Sequence, residues 1–151
     1  MLNDQLPNAN MILAQLIVQF RALQLSAHNF HNTVSGESFF SDHAFFSDAY
    51  GAYEEAYDGL VERLIGLGSP PNLVAVQKMA ASQLQDAADP MAMFQALFDG
   101  EKQVQSAIEQ AAAGGGLSQG TMNLLAGLAD DSEVRCYRVQ QRLAQSESDA
   151  S

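Results

Sequence analysis

"AHNFHNTVSGESFFSDHAFFSDAYGAYEEAYDGLVER", residues 27–63, contains every histidine of the chain: His28, His31 and His43. Ser35-Gly36 divides it. On both sides apolar residues recur at three- and four-residue steps, the period of a helix with one buried face. Upstream the stripe is Leu13, Leu16, Ile17, Phe20, Leu23, Ala27 and Phe30. Downstream it is Phe39, His43, Phe46, Tyr50, Tyr53, Tyr57, Leu60, Leu64 and Leu67. Two long helices joined by so short a break pack as antiparallel neighbours. The stretch is therefore the turn of a helical hairpin.

Working outward, the first helix is expected over about 9–34, opening after Pro7 with Asn8 or Asn10 as cap. The second runs over about 39–67 and is ended by Gly66, Gly68, Pro70 and Pro71. A long connection over about 69–88 contains LVAVQKMAASQ, which can form a short helix at about 73–82. Asp89-Pro90 is an N-cap followed by proline at the first helical position. It opens a third long helix over about 90–112, with Phe94, Leu97, Val104 and Ile108 inward. AAAGGGLSQG breaks the pattern, and a fourth long helix follows over about 118–146. Its stripe is Leu125, Leu128, Cys136, Val139 and Leu143, with Ser132 as a polar gap. The final SESDAS is expected to fray. No strand-like alternation and no internal repeat appear. The expectation is an all-α single domain, 1–151: a four-helix bundle with a long crossover carrying a short helix, the ferritin-like topology.

The bulk numbers agree with one folded domain. A chain of 151 residues buries about 70% of its unfolded surface on folding. Hydrophobic residues make up 47%, too many for a chain disordered by composition. No apolar run approaches the roughly 20 residues that cross a bilayer, so no membrane partner is expected. The opening MLNDQLPNAN lacks a basic n-region, so a signal peptide is not expected. The lone Cys136 cannot form an internal disulfide, which suits a reducing, cytoplasmic setting. The net charge is -11, with seven basic residues and none in the first 20. Nucleic-acid binding rests on Lys and Arg neutralising phosphates, so no nucleic-acid partner is expected. An acidic surface attracts cations, although it also serves solubility alone.

Histidine nitrogens with carboxylate oxygens suit iron, zinc or manganese. His31 lies five residues before Gly36 and His43 seven after, so a hairpin brings both to similar height on neighbouring helices. Asp58 and Glu62 form an i, i+4 pair on one face. His43 and Asp58 are 15 residues apart on one helix, which is about 22 Å along its axis. Metal–ligand bonds are about 2 Å long, so one chain cannot close this site. The angular offset of those 15 residues is only roughly 60°. A two-fold axis crossing the middle of the helix therefore brings Asp58 and Glu62 of a second copy beside His31 and His43. Each residue also has a plainer role. The histidines can be polar residues at a bundle end, and the acids a solvated face with Glu62 beside Arg63. His28 reads as a hydrogen-bonded structural histidine. Tyr50, Tyr53 and Tyr57 read as core or dimer packing, and Cys136 as a buried small side chain.

The pattern H-x11-H, then D-x3-E beginning fifteen residues after the second histidine, then R and LG, resembles the Dps family of mini-ferritins. The residues that carry it are HNFHNTVSGESFF, His43 and YDGLVERLIGLG. The long crossover and the last helix, TMNLLAGLADDSEVRCYRVQQRL, extend the resemblance over nearly the whole chain. It implies a hollow dodecamer built from two-fold dimers, which oxidises Fe(II) with peroxide or oxygen at inter-subunit centres and stores ferric iron. It implies His31 and His43 from one subunit and Asp58 and Glu62 from another as ligands of a non-haem iron, with Glu62 the strongest anchor. Three departures stand out. Ser47 occupies the family's usual aspartate position, and neighbouring Asp48 is about 100° away around the helix. Asn32 stands where the family usually has tryptophan. GGGLSQGTMN, in the region of the family's entry pore, has no carboxylate.

Two other classes remain open on the sequence: a ferritin-like shell or metal-binding protein with a degraded centre, and a plain helical adaptor. A di-iron centre inside one bundle is excluded. It uses Glu-x-x-His pairs, and no Glu here has His three residues later. There is no phosphate-binding glycine loop and no CxxC zinc pattern.

Overall fold

The computed structural model describes residues 8–149. The opening residues read for a signal peptide, 1–7, lie outside the described residues, as do 150 and 151. The described chain is five helices: α1 Ala9–Thr33, α2 Phe39–Gly66, α3 Leu73–Ser82, α4 Pro90–Gly114 and α5 Gln119–Asp149. Helix α5 thus continues through Ser146 to Asp149, where fraying was expected.

The caps fix where the helices begin. Asn8 Oδ1 accepts from Met11 N at 2.9 Å, so the first of the two candidate asparagines caps α1. Asn72 caps α3 and Asp89 caps α4 in the same way. Ser118 Oγ accepts from Thr121 N at 3.1 Å at the start of α5. Each such cap satisfies one otherwise orphaned N–H and contributes about 1 kcal/mol. Gly36, at φ 107° in the α1–α2 turn, holds a backbone conformation that a side chain would strain.

Helix α1 packs on α2, α4 and the crossover helix α3, and α4 packs on α5. The four long helices form a ferritin-like bundle, and α3 lies in the crossover between its halves. The core is continuous from Leu13, Leu16, Ile17 and Phe20 on α1 through Phe46, Leu60 and Leu64 on α2 to Phe94, Leu97 and Val104 on α4. Burying such side chains contributes about 1.5–3 kcal/mol each. Phe46 is a hub, with its ring 5.8 Å from Phe30 and 4.7 Å from Phe94. A Cβ on Gly100 would fall 2.5 Å from Leu23 Cδ2, so glycine there lets α4 approach α1 closely. Phe39 and Leu67, expected on the buried stripe of α2, are instead exposed. They sit at the two ends of that helix, where the core does not reach.

Polar groups tie α5 to the bundle. Arg142 donates from Nε and Nη2 to the two oxygens of Asp42, at 2.9 and 3.0 Å. Nearer the bundle's middle, fully buried Glu101 accepts from the Tyr53 hydroxyl at 2.6 Å, from Ser132 Oγ and from the Arg135 guanidinium. Gln105 Nε2 donates to Ser132 Oγ and Cys136 Sγ. Burial and the Glu101 charge push the Cys136 thiol up. Burial draws the Arg135 guanidinium down, but the hydrogen bond to Glu101 and its charge outweigh that and hold it above its usual range.

Burial, the adjacent Glu101 charge and the hydrogen bond to it raise the Tyr53 phenol well above its ordinary range, against the opposing charge of Arg135. Its proton is therefore held more tightly in the folded state than in the unfolded one. The resulting stability is fully present below the ordinary tyrosine pKa of about 10 and is lost as pH rises above it. The melting temperature is expected to fall steeply above about pH 10, and less steeply in Tyr53→Phe. Equal alkaline slopes in the two proteins would contradict the role given to this phenol.

Candidate metal centre

His31 ends α1 and His43 begins α2, and the hairpin turn sets them against each other. Their ring centroids are 3.8 Å apart. His31 Nδ1 lies 3.0 Å from the His43 carbonyl oxygen. A carbonyl only accepts, so Nδ1 carries the proton and Nε2 keeps its lone pair for a metal. Phe39, one turn before His43 on α2, lies 4.9 Å from its ring. Both histidines are half-buried, so they remain open to an ion from outside.

His28 differs from expectation. It is exposed, and among the described residues its contacts are rings rather than hydrogen bonds. It stacks on Tyr50 at 4.3 Å and lies 6.3 Å from His31. The three tyrosines of α2 separate by depth. Tyr50 is half-buried beside the histidines, and Tyr53 is in the core on Glu101. Tyr57 is buried, lies 3.8 Å beneath the Arg21 guanidinium, and accepts a hydrogen bond from Gln77.

Asp58 and Glu62 project from the other half of α2 and are exposed. The neighbouring Arg63 places its Nη1 beside Gly120 at the start of α5. Ser47 is half-buried one turn after His43, and Asp48 is exposed. Among the described residues of one chain, no three His, Cys, Asp or Glu side chains come together to hold a metal. The hairpin thus brings the two histidines together and leaves the two acids apart from them. Glu101, Asp42 and their arginine partners were not anticipated from sequence. The available signal was an acid on the inward face of α4 between Leu97 and Val104, opposite the Ser132 gap in α5.

A family model described as a ferritin-like domain matches residues 11–146, and the chain belongs to that family. Within it the resemblance to Dps proteins is borne out by both sequence and fold. A segment of 59 residues is 41% identical to the nutrient stress-induced DNA-binding protein of a Synechococcus strain, covering 39% of this chain and 34% of that protein. Two further relatives named as DNA protection during starvation proteins are matched over 52% and 53% of their own length. The crystal structure of Dps from Staphylococcus aureus superposes with a TM-score of 0.81 at 21% identity, covering 89% of this chain and 94% of that one. Dps from Listeria monocytogenes superposes at 0.79 with 17% identity, covering 95% and 97% of the two chains. Among the described residues no helix is long and apolar enough to cross a membrane.

Proposed function

We propose that this protein is a Dps-like iron-storing mini-ferritin that oxidises Fe(II) at sites shared between two subunits. The observation that carries this reading is the division of the ligand set. His31 and His43 converge at one end of the hairpin, while Asp58 and Glu62 stand exposed on the same helix. Asp58 is 15 residues beyond His43 and Glu62 one turn further, so both are at least about 22 Å away along the helix. An isologous dimer, with α2 antiparallel to its own copy, joins the halves and builds two sites at once. In that site Glu62 anchors the ferrous substrate, Asp58 adds a second oxygen ligand, and the two histidines hold the ion directly or through water. The Nδ1–H of His31, held by the His43 carbonyl, leaves the Nε2 lone pair for the ion.

Iron is the substrate. Two ferrous ions each give one electron to hydrogen peroxide, which takes up two protons and leaves as two waters. Oxygen is the alternative oxidant. The ferric product is stored inside a closed shell, with a dodecamer as the assembly. The net charge of -11 favours cations over phosphate backbones, so this protein acts without binding DNA. That distinguishes it from the relatives whose names refer to DNA. The single cysteine, buried on α5, is in keeping with a cytoplasmic setting.

Light scattering combined with aerobic Fe(II) addition tests this reading. The expected result is a particle of twelve chains and an ultraviolet ferric signal that rises faster with peroxide than in protein-free buffer. A monomer, or a rate equal to buffer, would refute it. A second reading, a shell with a degraded centre, is favoured by Ser47, which removes one carboxylate from the histidine side of the site. It predicts the same particle, one weakly held ion per site in anomalous scattering from iron-soaked crystals, and slow oxidation.

A further inference from the structure

The start of α2, which presents His43, is held by few contacts of its own. Phe39, Phe40 and Ser41 face solvent, while Asp42 is 1% exposed. The cap residue Ser38 makes no side-chain hydrogen bond to this turn, unlike Asn8, Asn72 and Asp89 at the heads of α1, α3 and α4. The next buried residue of α2 is Phe46, one turn further on. What pins the turn is therefore Asp42, whose two oxygens accept from Arg142 Nε and Nη2 at 2.9 and 3.0 Å. Arg142 is itself set in place. Its Nη1 donates to Met91 Sδ at 3.3 Å, and its guanidinium lies 5.5 Å from the Phe94 ring, which packs on Phe45 and Phe46.

We propose that Arg142 is a positioning residue for the metal site: through Asp42 it sets the first turn of α2, and with it the His31–His43 pair. Neighbouring residues on a helix point about 100° apart. Asp42 is turned to α5 and His43 to α1, so the same turn takes the clamp on one side and presents the ligand on the other. The His43 carbonyl accepts the Nδ1–H of His31 at 3.0 Å. A shift of the turn therefore moves both rings and releases the tautomer of His31 as well. A planar guanidinium that grips both carboxylate oxygens fixes orientation as well as distance, which a single point charge does not. The last helix, 100 residues away in sequence, thus takes part in the geometry of a site it does not touch. The inference rests on the reading of the two histidines as Fe(II) ligands and adds to it a residue outside the ligand set.

Removing Arg142 alone strands the buried Asp42 charge and can unfold the chain. The test therefore uses the double variant Asp42→Ala with Arg142→Met, which leaves no unpaired charge, on the assembled protein. Hydrogen–deuterium exchange without iron is expected to be faster over residues 37–46 and unchanged in the rest of the bundle. The Fe(II) concentration at half-maximal oxidation rate is expected to rise by about 10-fold or more, as when the supporting partner of a metal ligand is lost. The maximal rate should stay within about two-fold, because binding rather than the later step is weakened. Arg142→Lys keeps the charge but not the two-oxygen grip, and should fall between wild type and the double variant. Wild-type exchange over 37–46 in the double variant overturns the proposal. So does faster exchange with an unchanged half-maximal concentration, which would make the ion pair a matter of stability alone. A wild-type protein that neither binds nor oxidises iron refutes the ferroxidase reading instead. Exchange alone then decides on the clamp: protection kept in the double variant overturns it, and protection lost over 37–46 supports it.

Discussion

Glu62→Ala is expected to slow the initial rate of Fe(II) oxidation by at least about 10–100-fold. That is the range seen when only the supporting partners of metal ligands are removed, and Glu62 is assigned as a ligand itself. The fold should be indifferent to the change. Glu62 is exposed on α2, and alanine is the best helix former, so stability should shift by no more than about 0.5 kcal/mol. This separation makes the variant informative: far-ultraviolet circular dichroism and particle mass should match wild type while oxidation fails. Anaerobic Fe(II) titration should also show weakened binding, because the loss is of a ligand rather than of a later step. Asp58→Ala should act in the same direction with a smaller effect. If Glu62→Ala oxidises iron at the wild-type rate, the acids of α2 are a solvated face and the inter-subunit site is wrong.

The bundle could be read from the sequence because its signals are local. The period of Leu13 to Phe30, the Ser35-Gly36 break and the Asp89-Pro90 cap each act within a few residues of themselves. The convergence of His31 and His43 was legible for the same reason, since a short turn fixes their relative height. What escaped was decided by contacts between distant segments. Glu101 lies among apolar neighbours on α4, and nothing local announces that Tyr53, Ser132 and Arg135 will meet it. The pairing of Asp42 with Arg142 spans 100 residues of chain. The stripe of α2 was also extended too far, because periodicity continues to Phe39 and Leu67 while the core stops short of both. For His28, a ring partner one helix away decided its environment, and spacing along α1 gives no sign of Tyr50.

The second large effect is on stability. Glu101→Ala removes a fully buried carboxylate that is the common acceptor for Tyr53, Ser132 and Arg135. Breaking one side of a buried ion pair costs about 3–5 kcal/mol, because the remaining charge is left without compensation. The Tyr53 and Ser132 hydroxyls would lose their carboxylate acceptor as well, and a vacated carboxylate leaves a void among packed helices. For a domain of this size each 1 kcal/mol shifts the melting temperature by about 2–4 °C, so the drop should be roughly 6–20 °C. Glu101→Gln keeps an acceptor for the Tyr53 hydroxyl but not the charge facing Arg135, and should fall between wild type and Glu101→Ala. The decisive comparison is the double variant Glu101→Leu with Arg135→Leu. Removing both charges and filling the space with apolar atoms eliminates the stranded guanidinium, so the pair should be less destabilised than Glu101→Leu alone. Additive losses in that cycle would mean that Glu101 acts through packing, with Arg135 an incidental neighbour. A double variant that recovers stability would show that the α4–α5 contact depends on charge compensation in the bundle's interior.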